Sequence, residues 1–171
     1  LAEQAGMVAT QGLVQVELAE VALAQADGPR AVELCEKVLD GAHRLGMTTL
    51  WAYTAACHCS AQVLTGELRS AIEIARAAHP VLRSIELEPL MYVHLALWCS
   101  RCGRMADAAR LIGCAEAWHA ANHNFWEGAE VALRDIVKAE FEAALGSAEF
   151  DRLHAAGAAM VGDEPHRLLC S

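Results

Sequence analysis

Apolar residues recur along this chain with the three-to-four-residue spacing of amphipathic helices. One stripe contains Ala31, Leu34, Cys35, Val38, Ala42 and Leu45, while charged residues between them face away. A second stripe has the same spacing at Ala108, Leu111, Ile112 and Ala115. β-Branched residues are few and scattered, so long strands have little to form from. The pattern therefore predicts an all-α protein.

Glycine, proline and capping residues divide the chain into seven or eight helices of similar length. We expect helices over about 3–26, 30–45, 48–64, 67–79, 88–102, 105–121, 125–146 and 147–160. Pro80 is predicted to stop or kink the fourth helix, and Asn124 to cap the seventh in a capping box with Glu127. Links this short require neighbouring helices to be antiparallel.

Three of the predicted hairpins align with one another at a small residue of their second helix. Ala31, Ala71 and Ala108 are spaced 40 and then 37 residues apart, and a turn glycine precedes each. This spacing slightly exceeds the ~34 residues of a tetratricopeptide repeat. The alternative is an ordinary bundle whose alanines coincide by chance. We predict antiparallel hairpins stacked as a tetratricopeptide-like right-handed array, over residues 1–46, 47–84, 86–122 and 124–160. Residues 161–171 form a tail with room for a short helix.

Composition and charge narrow the functions that this domain can have. The chain is 55% hydrophobic but only 5% aromatic, and its net charge is −9 without a Lys/Arg cluster. We therefore expect no direct contact with nucleic acid or with an anionic membrane. Seven cysteines are an odd number, and most fall within helical patterns. This usage favours reduced thiols and a cytoplasmic protein.

The sequence contains none of the common catalytic motifs. A phosphate-binding loop, a dinucleotide fingerprint, a nucleophile elbow and an HExxH motif are all missing, so we expect no enzyme activity. Glu116, His119 and His123 share one helical face, and Cys57-His58-Cys59 is a compact cluster. Neither group supplies the four converging ligands of a zinc site. We therefore predict no metal and no cofactor.

Two segments carry a resemblance to a known family. Residues 107–118 (DAARLIGCAEAW) and 139–160 (AEFEAALGSAEFDRLHAAGAAM) resemble the C-terminal tetratricopeptide region of large bacterial signalling ATPases. That group includes LuxR-type and winged-helix-linked transcriptional regulators. The resemblance implies that this chain is the C-terminal part of a bacterial regulator, with any ATPase machinery before Leu1. Its motifs are structural and bring no catalytic residue.

The predicted function is a non-catalytic module for protein–protein interaction or signal sensing. The alternative is a small-molecule-binding or metal-binding helical sensor that controls a fused effector. In tetratricopeptide arrays the first helix of each hairpin lines a groove, which places in it Leu13, Val16, Glu20, Tyr53, Ala56, Ser60, Leu90, Val93, Leu97 and Arg101. We expect a partner protein, a neighbouring domain, a second copy or an apolar ligand to cover this mostly apolar surface. Alternatively, these side chains pack between adjacent first helices.

Overall fold

The computed structural model describes residues 2–123 and 126–170, with side chains from 9 to 123 and from 126 to 168. Within these residues the chain forms nine helices and no strand. They are α1 (Ala2–Ala24), α2 (Gly28–Arg44), α3 (Thr48–Leu64), α4 (Leu68–Ser84), α5 (Leu90–Arg101), α6 (Met105–Ala121), α7 (Gly128–Leu145), α8 (Ser147–Ala158) and α9 (Glu164–Cys170). The predicted all-α fold is confirmed. None of these helices is both long and apolar enough to cross a bilayer.

The first six helices form three hairpins that stack in chain order. Helices α1 and α2, α3 and α4, and α5 and α6 pack as pairs, and α2 packs on α3 as α4 does on α5. The aligned residues Ala31, Ala71 and Ala108 are completely buried. Small side chains at these positions allow the two helices of each hairpin to approach closely.

A recurring turn ends the helices and gives the array its regular spacing. Ala26, Gly46, Gly66, Glu86, Gly103 and His123 all have a positive φ between 53° and 89°. After the first five of these, the residue that follows donates a backbone hydrogen bond five residues back, as from Met47 N to Ala42 O and from Leu87 N to Leu82 O, each 2.9 Å. These bonds define the Schellman ending of a helix.

The fourth hairpin is built differently from the first three. Helix α7 packs on α1 and α5, whereas α8 packs on α6. The crossing of α6 and α8 is a backbone contact, because a Cβ at Gly113 would lie 2.0 Å from His154 O, and one at Gly157 2.0 Å from Arg110 O. Only glycine fits at either position.

Three local predictions need correction. Pro80 lies inside α4, which continues to Ser84, because proline removes one backbone hydrogen bond while the buried Leu82 anchors the turn beyond it. The capping box of α7 forms between Glu127 and Glu130, and Asn124 lies outside the described residues. The tail forms α9, so the described chain has nine helices rather than seven or eight.

Candidate interaction groove

The structure separates the predicted groove residues into buried and accessible groups. Tyr53 and Leu90 are half-buried, and Leu13 and Arg101 are exposed. The other six are buried in the body of the protein: Val16, Glu20, Ala56, Ser60, Val93 and Leu97. Those six are therefore not available to a partner, as the packing alternative had proposed.

Helix α7 of the same chain fills one half of the groove. At its start Ala129 joins the buried cluster around Val16 and Ala19 of α1. Near its end Glu140 pairs with Arg101 at 2.7 Å and accepts a hydrogen bond from Ser100. Its inward side chains Leu133, Val137 and Phe141 are completely buried. Over this half of the groove, α7 occupies the position in which we expected an external partner.

The other half of the groove remains open as an apolar cleft. The cleft has a volume of about 530 Å³ and is lined by Leu13, Gly46, Met47, Thr48, Thr49, Leu50, Tyr53, Leu82 and Leu87. Two predicted groove residues, Leu13 and Tyr53, thus come together there. The other lining residues lie at helix ends and in the connections between helices. The alignment of the repeats did not predict that these segments come close to the groove.

The outer face of α1 continues the apolar surface away from the cleft. Leu13, Val14, Leu18 and Val21 are 56%, 52%, 45% and 54% exposed, and we refer to these four as the α1 apolar face. They make up half of the eight large hydrophobic side chains that are exposed in the described part of the chain. Of the two acidic residues between Leu13 and Val21, Glu17 is exposed and Glu20 is buried. Such a concentration of exposed apolar side chains on one helix is unusual for a solvated surface.

A polar cluster around Tyr53 joins the buried Glu20 to the exposed Glu127. The Tyr53 hydroxyl group is hydrogen-bonded to Glu20 Oε1 and, at 2.9 Å, to Glu127 Oε2. The hydroxyl has one proton and can donate to only one carboxylate. Burial raises the pKa of Glu20 to about 8. The hydrogen bond between Glu20 and Glu127 lowers the pKa of Glu127. The Tyr53 hydroxyl therefore donates to one of the two carboxyl groups at a time, and Glu20 is the one whose protonated form burial favours.

Ser60 and His94 form a second buried pair, with Ser60 Oγ 2.9 Å from His94 Nδ1. A serine beside a histidine is the arrangement of a hydrolase nucleophile and its base. However, Ser60 is completely buried, and burial lowers the pKa of His94 to about 4. No substrate can reach this hydroxyl group in the structure, so the pair serves packing.

The metal candidates taken from the sequence do not come together. Glu116 binds His154 at 2.9 Å, whereas His119 lies 3.6 Å from Glu130, and His123 is exposed in the turn after α6. The described cysteines are free thiols. Burial raises the pKa of Cys35, Cys59 and Cys99 to about 12, which keeps them protonated.

Glu20 was predicted to line a binding groove, whereas the structure buries it in a polar contact with Tyr53. It interrupts an apolar stripe of α1, a signal that a buried partner must compensate. That partner, Tyr53 with Glu127, comes from distant parts of the chain and has no local signature.

No family model, curated protein or solved structure matches this chain. The resemblance of residues 107–118 and 139–160 to bacterial signalling ATPases therefore remains a prediction.

Proposed function

We propose that the chain is a non-catalytic helical repeat module that binds another protein through the α1 apolar face. The observation that carries this proposal is the exposure of Leu13, Val14, Leu18 and Val21 on one side of a single helix. A helix face that meets water is normally polar. Here the outer face of the first hairpin has the character of a helix interface instead.

The geometry favours a helical partner. Val14, Leu18 and Val21 follow the i, i+4, i+7 spacing by which one helix packs along another. A partner helix lying along α1 would also reach the cleft at Leu13, where Leu50 and Leu87 add apolar depth. The occupant that fits this surface is therefore an amphipathic helix or helical hairpin.

A regulatory role within a larger bacterial protein is our extension of this proposal. It is supported by the resemblance of residues 107–118 and 139–160 to regulator repeats. These two segments contribute Gly113 and Gly157, which make the close α6–α8 crossing. The shared motif thus has a physical role in packing and is compatible with a module that only binds. Cytoplasmic location belongs to the same proposal.

The experiment places a photo-crosslinking amino acid at Val14 or at Leu18 in cells that express the protein. Ala77, exposed on α4 and distant in sequence from α1, is the matched control position. We expect a discrete light-dependent adduct from both α1 positions and none from Ala77. The mass of the adduct distinguishes a second copy of the chain from a different protein.

A companion variant tests the chemistry of the surface. Val14→Glu combined with Leu18→Glu should abolish the adduct formed from a crosslinker at Val21, while Ala77→Glu should leave it unchanged. Circular dichroism checks that both variants keep their helicity. Adducts that form equally from Ala77, or that survive the double substitution, would contradict the proposal.

The cleft supports a second candidate function, the binding of a small apolar molecule. Its volume of about 530 Å³ falls within the usual range of ligand pockets. Anilinonaphthalene sulfonate is a suitable probe, and Thr49→Trp should fill the cleft and remove the fluorescence increase. Equal fluorescence from Thr49→Trp and from the control Ala77→Trp would exclude the cleft as the site.

A further inference from the structure

A cluster of three potential metal ligands brings together α4, the α4–α5 connection and α9. His79 of α4, Glu88 of the α4–α5 connection and His166 of α9 each direct a ligand atom towards the others, all within 4.8 Å. Among the described residues this is the only such group of three. His79 and His166 are 87 positions apart, so the sequence contains no local motif for it.

The distances within the cluster are close to those of a coordination sphere. His79 Nε2 lies 3.3 Å from His166 Nδ1 and 2.7 Å from Glu88 Oε1. Ligands bound to zinc at about 2.0–2.1 Å in a tetrahedron are themselves roughly 3.3 Å apart. The nitrogen pair already has this spacing. The Glu88 carboxylate needs to move outward by only about half an ångström to reach it.

A neighbouring group holds Glu88 in place, as outer-sphere partners of metal ligands do. Arg83 Nε lies 3.9 Å from the second oxygen of the Glu88 carboxylate. Arg83 is also paired with Asp163, so its positive charge is already compensated. Glu88 Oε1, the oxygen that faces His79, is the one that would meet a cation.

One rearrangement is required for metal binding. The two imidazole rings are stacked, with centroids 4.6 Å apart and planes inclined by 25°. Their ring nitrogens therefore point side by side, and the His166 ring must rotate before both face one ion. Such a rotation is accessible because His166 is only half-buried, whereas His79 is 6% exposed and fixed within α4.

A cavity beside the two histidines leaves room for a fourth ligand. It has a volume of about 190 Å³ and is lined by apolar residues such as Ile72, Pro80 and Leu95, together with Arg76. Three protein ligands with an open position are typical of reactive or exchangeable metal sites, whereas structural zinc sites are closed by four. Two imidazoles and one carboxylate favour a first-row transition metal over Mg²⁺ or Ca²⁺.

We propose that His79, Glu88 and His166 bind a divalent transition-metal ion of the Zn²⁺ class and so fasten α9 to the α4–α5 connection. Other contacts of α9 include the packing of Leu168 against the core and a hydrogen bond of 2.6 Å from Arg104 to the Leu168 carbonyl, and Asp163 just before the helix pairs with Arg83. A ligand on α9 makes the position of the C-terminal helix depend on the metal.

The binding test uses the full chain with Zn²⁺ in calorimetry and with Co²⁺ in visible spectroscopy. We expect one ion per chain, and Co²⁺ should show ligand-field bands without a thiolate charge-transfer band. His166→Gln and Glu88→Gln, which change ligands on two separate elements, should each weaken binding by more than the ~10–100-fold typical of losing an outer-sphere partner. Mg²⁺ and Ca²⁺ should not compete.

His154→Gln is the matched control, because His154 and Glu116 form another histidine–carboxylate pair at 2.9 Å without a third ligand. It should leave the affinity unchanged. Hydrogen exchange of residues 164–170 provides a separate readout, since Zn²⁺ should slow it in the natural chain and not in His166→Gln. Absence of Zn²⁺ binding, a thiolate band, binding that survives both ligand substitutions, or exchange that ignores Zn²⁺ would overturn the proposal.

Discussion

The Tyr53 hydroxyl lies between two carboxyl groups. Because one of them, Glu20, is buried, the stability of the protein depends on pH. Glu20 keeps its proton in the folded state because burial raises its pKa to about 8, whereas an unfolded glutamate releases it near 4.5. The folded state therefore binds more protons than the unfolded state between these values, and stability falls as the pH rises through them. Glu130, whose pKa burial raises to about 7, acts in the same direction.

Buried His94 acts in the opposite direction at lower pH. Its pKa is lowered to about 4 in the folded state, so it destabilises the fold as the pH falls below its ordinary value near 6.5. Above about pH 6.5 His94 no longer changes the stability. Only the raised pKa values of Glu20 and Glu130 then make the stability depend on pH. We expect the free energy of unfolding to fall by roughly 1–2 kcal/mol between about pH 6.5 and 8.

Urea denaturation at a series of pH values checks this expectation. Glu20→Gln should flatten the pH dependence, because the amide replaces a protonated acid and cannot ionise. Glu73→Gln, at an exposed position of α4, serves as the control and should keep the slope of the natural chain. An unchanged slope in Glu20→Gln would show that Glu20 is ionised in the folded protein.

Glu86 adopts a left-handed conformation, with φ of 60°, at a position where the equivalent residues Gly46 and Gly66 are glycines. A side chain costs conformational energy in this region, and glycine avoids it. We expect Glu86→Gly to raise the free energy of unfolding by about 0.5–1 kcal/mol, after the greater flexibility of glycine in the unfolded chain is subtracted.

The matched change Glu36→Gly lies inside α2 and should lower the free energy of unfolding by about 1 kcal/mol. Thermal melting of the two variants measures both effects. If Glu86→Gly were as destabilising as Glu36→Gly, the turn after α4 would not have the left-handed geometry.

At the scale of whole helices, the crossing of α6 and α8 depends on two glycines. A methyl group at Gly113 or Gly157 would meet a backbone carbonyl at 2.0 Å, and backbone cannot move aside as a flexible side chain does. Gly113→Ala and Gly157→Ala should each destabilise by at least the ~1–3 kcal/mol of core overpacking.

Gly41 provides the matched control, since it lies inside α2 and a methyl group added there would have nothing within 4 Å. Gly41→Ala should stabilise the protein by about 0.5–1 kcal/mol through helix propensity alone. Thermal unfolding compares the three variants. Neutral changes at Gly113 and Gly157 would mean that the two helices do not touch there.

Ala71 and Ala108 form the corresponding contacts inside the second and third hairpins. Both are completely buried between the two helices of their hairpin. Substitution of either by Leu should destabilise by about 1–3 kcal/mol, because a larger side chain forces the helices apart. Chemical denaturation measures the loss. Unchanged stability in both variants would contradict the repeat register that aligns them.

For the molecule as a whole, α7 changes how the array unfolds. Stacked repeats contact only their neighbours and can unfold from an end. Here α7 packs on both α1 and α5, so it ties the first hairpin to the third. We expect a single cooperative transition, with helicity and tryptophan fluorescence changing together.

Leu133→Ala examines this linkage, because Leu133 is a completely buried residue of α7. It should destabilise the entire domain by about 2–5 kcal/mol while the transition remains single. If the two signals separated, or if only the last helices melted earlier, α7 would not couple the hairpins.

Helix positions, hairpin pairing and the alanine contacts could be predicted from the sequence, because they depend on local spacing and on turn residues such as Gly46 and Gly66. The path of α7 could not, since its apolar residues fit either a fourth stacked hairpin or a helix laid in the groove. The contact between Glu20 and Tyr53 could not be predicted either, because the two residues are distant in the chain and have no local signature. His79, Glu88 and His166 were also missed, because their meeting depends on where α9 docks.

The α6–α8 crossing also makes the two ends of the array different. With α8 seated on α6 and α7 turned back into the groove, the surface on which another hairpin would stack after α6 is already occupied. The α1 end carries its apolar side chains outward. Hairpins added by design should therefore be accepted before α1 and rejected after α6. The two ends of the array thus differ in their capacity to pack against a further repeat.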